Sequence, residues 1–195
     1  DEDLIRQYRK NAEFVFISTR RLRPVYNIHI IILAYSTIVE EFPNSRLWIV
    51  GEDFLTKTLK GTVERMNLTQ HVIFTGWIQR DEMISLLKGA DAFLSVPSSD
   101  STALSLLEAF AARLPVIVSN VRANLEWVEA YTNGLVVLPG ELDMLAESMR
   151  DMINHPERGK AWGEYNRKLV ESRGERNQEM KKLEAWYAEV VAEKS

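Results

Sequence analysis

With 195 residues, 46% of them apolar and 27% charged, the chain can build one sizeable hydrophobic core and is unlike a disordered or fibrous polymer. Its 24 basic and 28 acidic residues give a formal charge of -4, mixed in sign along most of the chain, so no basic face for nucleic acid is implied. Cysteine is absent, which excludes a disulfide framework and thiolate zinc sites and fits a reducing, cytoplasmic setting; His29, His71 and His155 lie far apart, so no metal is expected.

The chain opens Asp-Glu-Asp-Leu-Ile, with neither the basic region nor the apolar core of a signal peptide and no initiator Met, as expected of a piece of a longer protein. Residues 1–12 read as a leading helix or arm. Six aliphatic, β-branched runs then follow as strands: Phe14 to Ser18, Arg46 to Val50, Val72 to Thr75, Ala92 to Val96, Val116 to Ser119 and Leu135 to Leu138. Most are apolar at successive positions, as strands buried on both faces must be. Between them, helical spacing recurs at Ile31, Tyr35, Ile38 and Phe42, at Leu55, Leu59, Val63 and Met66, and at Leu142, Leu145, Met149 and Met152. Turn signals separate these elements, among them Pro43-Asn44, Thr75-Gly76 and Asn133-Gly134. No apolar run approaches the ~20 residues of a membrane span. Beyond His155-Pro156 charged residues dominate, and Met180, Leu183, Trp186 and Val190 form a narrow stripe, which reads as two terminal helices over 157–195, the last packed back across the domain. The fold expected is α/β: one domain over 1–195, a Rossmann-like, doubly wound, parallel six-stranded sheet with helices on both faces and extra C-terminal helices.

In such a sheet, ligands bind beyond the carboxyl ends of the strands. After the first strand comes Ser18-Thr19-Arg20-Arg21-Leu22-Arg23-Pro24, whose clustered guanidiniums suit a phosphate or carboxylate; Arg21 and Arg23 equally suit mere solvation of a loop. After the fourth strand, a polar cluster from Pro97 to Thr102 runs into an apolar helix, whose unpaired N–H groups would attract an anion. Asp100 and Glu108, if both helical, stand roughly 12 Å apart along the axis and about 80° around it, enough to bracket one elongated ligand. The competing reading makes Asp100 an N-cap and Glu108 an ordinary paired helix residue.

The stretch from Asp100 to Glu108, continuing Ala-Phe-Ala-Ala-Arg-Leu-Pro-Val-Ile-Val-Ser-Asn, resembles the signature region of the family-4 retaining glycosyltransferases of GT-B architecture. Further blocks agree in order: Phe16 to Arg20, Arg46 to Gly51, Val72 to Trp77, Ala90 to Pro97 and Asn133 to Val137. The resemblance spans about Phe14 to Pro156. It implies a nucleotide-sugar donor domain in which Glu108 bonds the ribose, Asp100 bonds the transferred sugar, the helix start Ser101, Thr102, Ala103 and Leu104 holds the diphosphate, Arg20 supplies countercharge, and the base stacks by Gly76 and Trp77. Asp100 and Arg20 are then the catalytic pair, the donor a UDP- or GDP-sugar, and neither metal nor cofactor is called for. The sequence departs from the family with Asp rather than Glu at 100, Tyr26-Asn27 where a Lys is usual, Arg113 in a Gly place, and Arg122-Ala123-Asn124 for a Gly-rich turn, with Asn124 read as a helix cap. The separate N-terminal acceptor domain is expected to be missing, leaving a chain that binds donor without turnover. The alternatives are a non-catalytic nucleotide-sensing or interaction module and, more remotely, a phospho-receiver, for which no Asp follows the third strand.

Overall fold

A computed structural model describes residues 1–101 and 103–173. Thr102 and the stripe Met180, Leu183, Trp186 and Val190, with the second terminal helix, lie outside the described residues.

The six expected strands form within a residue or so of their sequence limits: β1 Phe14–Ser18, β2 Ser45–Val50, β3 Val72–Gly76, β4 Ala92–Ser95, β5 Val116–Ser119 and β6 Gly134–Val137. All pair in parallel, in the order β3-β2-β1-β4-β5-β6. Along each strand successive side chains enter opposite cores, as the pleat requires. Phe16, Leu47 and Ile49 point to one side; Val15, Ile17, Trp48 and Val50 point to the other. The first side is covered by α2 (Ile28–Ser36), α3 (Thr56–Arg65) and α7 (Leu142–Asn154), and the second by α1 (Glu2–Arg9), α4 (Arg80–Gly89) and α5 (Leu104–Ala111). A four-residue helix α6 (Arg122–Leu125) follows β5, and α8 (Pro156–Arg173) crosses behind α5.

The leading segment is a helix rather than an arm, strapped to the amino ends of the strands by Arg9. Its guanidinium donates to the Gly89 carbonyl at 2.7 Å and pairs with Asp91 at 2.8 Å, and Asp91 accepts the Val15 N–H at 2.8 Å. Burial pushes the Asp91 carboxyl above the usual carboxylate range, against the opposing pull of Arg9.

Helix α8 is anchored by a buried amide cluster that no periodicity announces. Asn166 donates to the carbonyls of Leu114 (2.9 Å) and Asn133 (3.0 Å), while its own oxygen accepts from the Asn133 side chain at 2.8 Å. Arg167 donates to the Ala111 carbonyl at 2.7 Å, satisfying the end of α5. Between these contacts Gly163 lies against the carbonyl of Arg113, which itself takes a left-handed backbone at φ 62, the conformation that favours glycine.

Two local expectations are corrected. Asn124 is no cap: it lies inside α6, fully buried, and its amide donates to the Ser119 carbonyl at 2.9 Å. Nor does the helix after β4 begin at Asp100. It begins at Leu104, because Asp100 is held instead by a distant arginine, so the helical separation of Asp100 from Glu108 does not apply.

Candidate functional site

Strand order reverses between β1 and β4, whose carboxyl ends lie side by side, and this crevice is where a doubly wound sheet takes its ligands. The two loops that leave it are stitched together. Asn27 takes a left-handed conformation (φ 53) and its buried amide donates to the Val96 carbonyl at 2.9 Å and the Ser98 hydroxyl at 2.8 Å. The Ser98 N–H returns a bond to the Val25 carbonyl at 2.8 Å, and Ser119 ties Pro97 from below at 2.6 Å.

Arg20 stands over this seam. Its guanidinium donates to the Ser105 hydroxyl at 2.7 Å and to Asp100 at 2.5 Å, and its face covers the Tyr26 ring, 4.3 Å from the ring centre. Arg20 is 8% exposed and Asp100 11%, so the pair is almost fully withdrawn from water, yet the Arg20 Nε finds no partner among the described residues. The hydroxyls of Ser18, Thr19 and Ser95, at the same strand ends, are also buried without partners there. Buried polar groups are rarely left so, and a cluster of them marks a place for a ligand or water.

The three arginines of the first loop therefore separate. Arg20 turns toward β4, while Arg21 and Arg23 turn toward β2 and both bind Asp53 at 2.9 Å. The Arg23 hydrogen bond, then the Phe54 N–H, hold the Asp53 carboxyl below its ordinary range. Neither is available as a second cation beside Arg20.

Helix α5 starts with Ala103 in the cap position, where a methyl side chain can accept nothing, and among the described residues no side-chain cap is present. Its first turn meets Arg20 through the Ser105 hydroxyl. Ser101 is exposed, Ala103 is buried and Leu104 projects outward. Glu108 lies one turn beyond Ser105 on the same face. It borders a cleft of about 290 Å³ between α4, α5 and α8, opposite Arg80. Burial pushes the Glu108 carboxyl above its usual range, and Arg80 pulls it back in part. Arg80 carried no sequence signal; only the fold sets the first residue of α4 against Glu108.

Because the folded Glu108 holds its proton more tightly than the unfolded one, its contribution to stability is present at low pH and is lost as pH rises through the folded value. At neutral pH the carboxylate is a cost. Glu108→Gln is expected to raise the melting temperature at pH 7 while leaving it unchanged near pH 4, measured by calorimetry at the two pH values; a lowered value at pH 7 would contradict this.

Gly76 and Trp77 lie on the edge side of the site, at the end of β3. The Gly51 N–H bonds the Gly76 carbonyl at 3.0 Å, and Gly76 adopts φ +70, which turns the chain away from the sheet. Trp77 then stands 71% exposed, three residues before Arg80. The structure thus brings Arg20 to Asp100 and Ser105, sets Glu108 in the separate cleft with Arg80, and leaves Trp77 exposed on a neighbouring loop.

The family described as "Glycosyl transferases group 1" matches residues 1–169. Among characterised relatives, the chain is similar to the Escherichia coli UDP-Gal:alpha-D-GlcNAc-diphosphoundecaprenol alpha-1,3-galactosyltransferase, 30% identical over 143 residues, which are 72% of this chain and 36% of that protein. The curated relatives are longer, the chain spanning 24% to 46% of the length of several that it matches. Among solved structures, Anabaena Alr3699/HepE in complex with UDP aligns with a TM-score of 0.82 at 22% identity, over 95% of this chain and 53% of that one. The C-terminal domain of a glycosyl transferase group 1 family protein (LpcC) from Francisella tularensis aligns with a TM-score of 0.81 at 20% identity, over 90% of this chain and 94% of that one.

Proposed function

The chain belongs to the group 1 glycosyl transferases, and from that premise we propose that it is the C-terminal, donor-binding domain of a retaining enzyme that takes a UDP- or GDP-linked hexose. The observation that carries this reading is the buried Arg20 beside the uncapped start of α5 at the strand-order switch. The donor's diphosphate would occupy the α5 N–H groups, with Arg20 as countercharge. Fixed donors of this kind stabilise a departing nucleoside diphosphate by electrostatic preorganisation, without calling on a metal.

In this reading Asp100 plays two parts. With no donor bound its carboxylate occupies Arg20; when a phosphate takes that guanidinium, the carboxylate is released to the hydroxyls of the sugar. Glu108 accepts the ribose hydroxyls, a role that fits its retention at a cost to stability. Trp77, with Gly76 shaping its loop, offers a face on which the base stacks.

The carboxyl-end face also supports an incomplete enzyme. Every segment leaving a strand there presents an exposed large apolar side chain: Val25, Phe54, Trp77, Leu104, Leu125 and Leu138. Exposed apolar side chains repeated after every strand at one end of the sheet suit a covering body, here an acceptor-binding domain in the rest of the protein. Among the described residues no helix is long and apolar enough to cross a membrane.

Titration of the folded chain with UDP and GDP tests the proposal, and saturable binding of at least one is expected. Binding of neither would sink it. Glu108→Gln should weaken that binding by about 1.5–3 kcal/mol, a lost charge-assisted hydrogen bond, while the protein becomes no less stable at pH 7. A second reading, a silent nucleotide-sensing module, is favoured by the Arg20–Asp100 pair, which already neutralises the buried cation. Transfer restored by adding an N-terminal half from a relative is incompatible with it.

A further inference from the structure

We infer that Tyr26 is the positioning residue for Arg20, a fixed aromatic platform that holds the guanidinium edge-on to the donor's diphosphate. The inference rests on the donor-site reading above and goes beyond it in assigning the residue that gives the buried Arg20 a defined direction.

Three observations carry it. The first is the stack itself, with the Arg20 guanidinium carbon 4.3 Å from the centre of the Tyr26 ring. The second is that the ring's backbone is clamped from both sides. Tyr26 closes a short 3-10 turn, Pro24–Tyr26, whose Val25 carbonyl accepts the Ser98 N–H at 2.8 Å. The next residue, Asn27, is locked to Val96 and Ser98 through its buried amide, and the ring itself packs on the core beneath α2. A ring held this way cannot follow a moving side chain, so it sets where Arg20 lies.

The third observation is what else holds Arg20. Its partners are Asp100 and Ser105. A diphosphate at the start of α5 competes with the Asp100 carboxylate for the same N–H groups, because both are anions seeking one fork. Once Asp100 is displaced, the ring and the Ser105 hydroxyl remain, and of the two it is the ring that holds the guanidinium face and so sets its plane without occupying a donor. A planar cation stacked on one face directs its donors in a single plane, which suits bidentate contact with phosphate. Arg21 and Arg23, bound to Asp53, do not share this task.

The experiment compares Tyr26→Phe, which keeps the ring, with Tyr26→Leu, which keeps bulk without an aromatic face. In protein labelled with 15N-arginine, the Arg20 Nε–H of the wild type should give a sharp resonance displaced by the ring current and slow to exchange. Tyr26→Phe should retain it, and Tyr26→Leu should lose the displacement. Affinity for UDP or GDP should fall about tenfold in Tyr26→Leu and less than twofold in Tyr26→Phe, with uridine or guanosine binding unchanged in both. A wild-type Arg20 signal without displacement overturns the inference even if Tyr26→Leu fails to fold. So does a Tyr26→Leu protein whose diphosphate-to-nucleoside preference is intact. A wild type that binds neither diphosphate overturns the donor-site reading and this role together, and is distinguished from the other failures because it needs no variant.

Discussion

Gly163→Ala is expected to lower the melting temperature by about 10 °C or to prevent native packing of α8. A Cβ built at this position enters the carbonyl oxygen of Arg113, and no rotamer relieves a clash with backbone. To make room, α8 must lift from the loop before β5, which breaks the Asn166 bonds to Leu114 and Asn133 and strands their polar groups inside the protein. Overpacking and unsatisfied buried groups together should cost about 3–5 kcal/mol, and in a domain of this size each kcal/mol moves the midpoint by about 2–4 °C. Gly159, one turn earlier on the same helix, is the control. A Cβ there meets Pro115 at 3.4 Å, close to ordinary contact, so Gly159→Ala should be neutral or gain up to about 1 kcal/mol from helix propensity. Thermal and urea unfolding of the two variants would decide, and equal effects would refute the close-approach argument.

Arg20→Ala should weaken diphosphate binding by about 10- to 100-fold, the worth of one or two charge-assisted hydrogen bonds, while nucleoside binding falls less than threefold. It should also destabilise the protein, because Asp100 is left 11% exposed without its partner. The two effects are separable. Adding Asp100→Asn to Arg20→Ala removes the stranded charge and should recover most of the stability but none of the diphosphate affinity. Calorimetric titration and thermal unfolding of both variants test this; recovery of affinity in the double variant would show that Arg20 acts on the fold and not on the ligand.

The sheet was readable in the sequence because buried parallel strands write continuous apolar runs, as in Phe14–Ser18 and Val116–Ser119, whereas the longer apolar run inside Ile28–Ser36 carries helical spacing at Ile31 and Tyr35 and forms α2. Local reasoning failed where a residue's partner lies far along the chain. Asp100 has the composition of an N-cap, yet a guanidinium from the loop after β1 takes its carboxylate, so the helix starts only at Leu104. Arg20, Arg21 and Arg23 look alike in sequence; the path of the loop after β1 sends the first toward Ser105 and the others toward Asp53. The asparagines Asn27, Asn124, Asn133 and Asn166 are buried and bonded to backbone, but isolated polar residues carry no periodicity, and each read as a turn, a cap or nothing.

The position of β1 at the centre of the sheet has a consequence for how the chain acquires its structure. One side of β1 pairs with β2, the next strand in sequence, but the other side pairs with β4, and β5 and β6 can add only afterwards. On a ribosome, the β1-β2-β3 half can assemble as soon as it emerges, with one edge of β1 and the apolar residues of its flanks open to water until Ala92–Ser95 follows. Closing that long loop before its contacts repay it makes the β1–β4 pairing the expected slow step. The seam that later holds Arg20, Asn27 and Ser98 is formed in that same step, so the ligand crevice and the completed sheet arrive together.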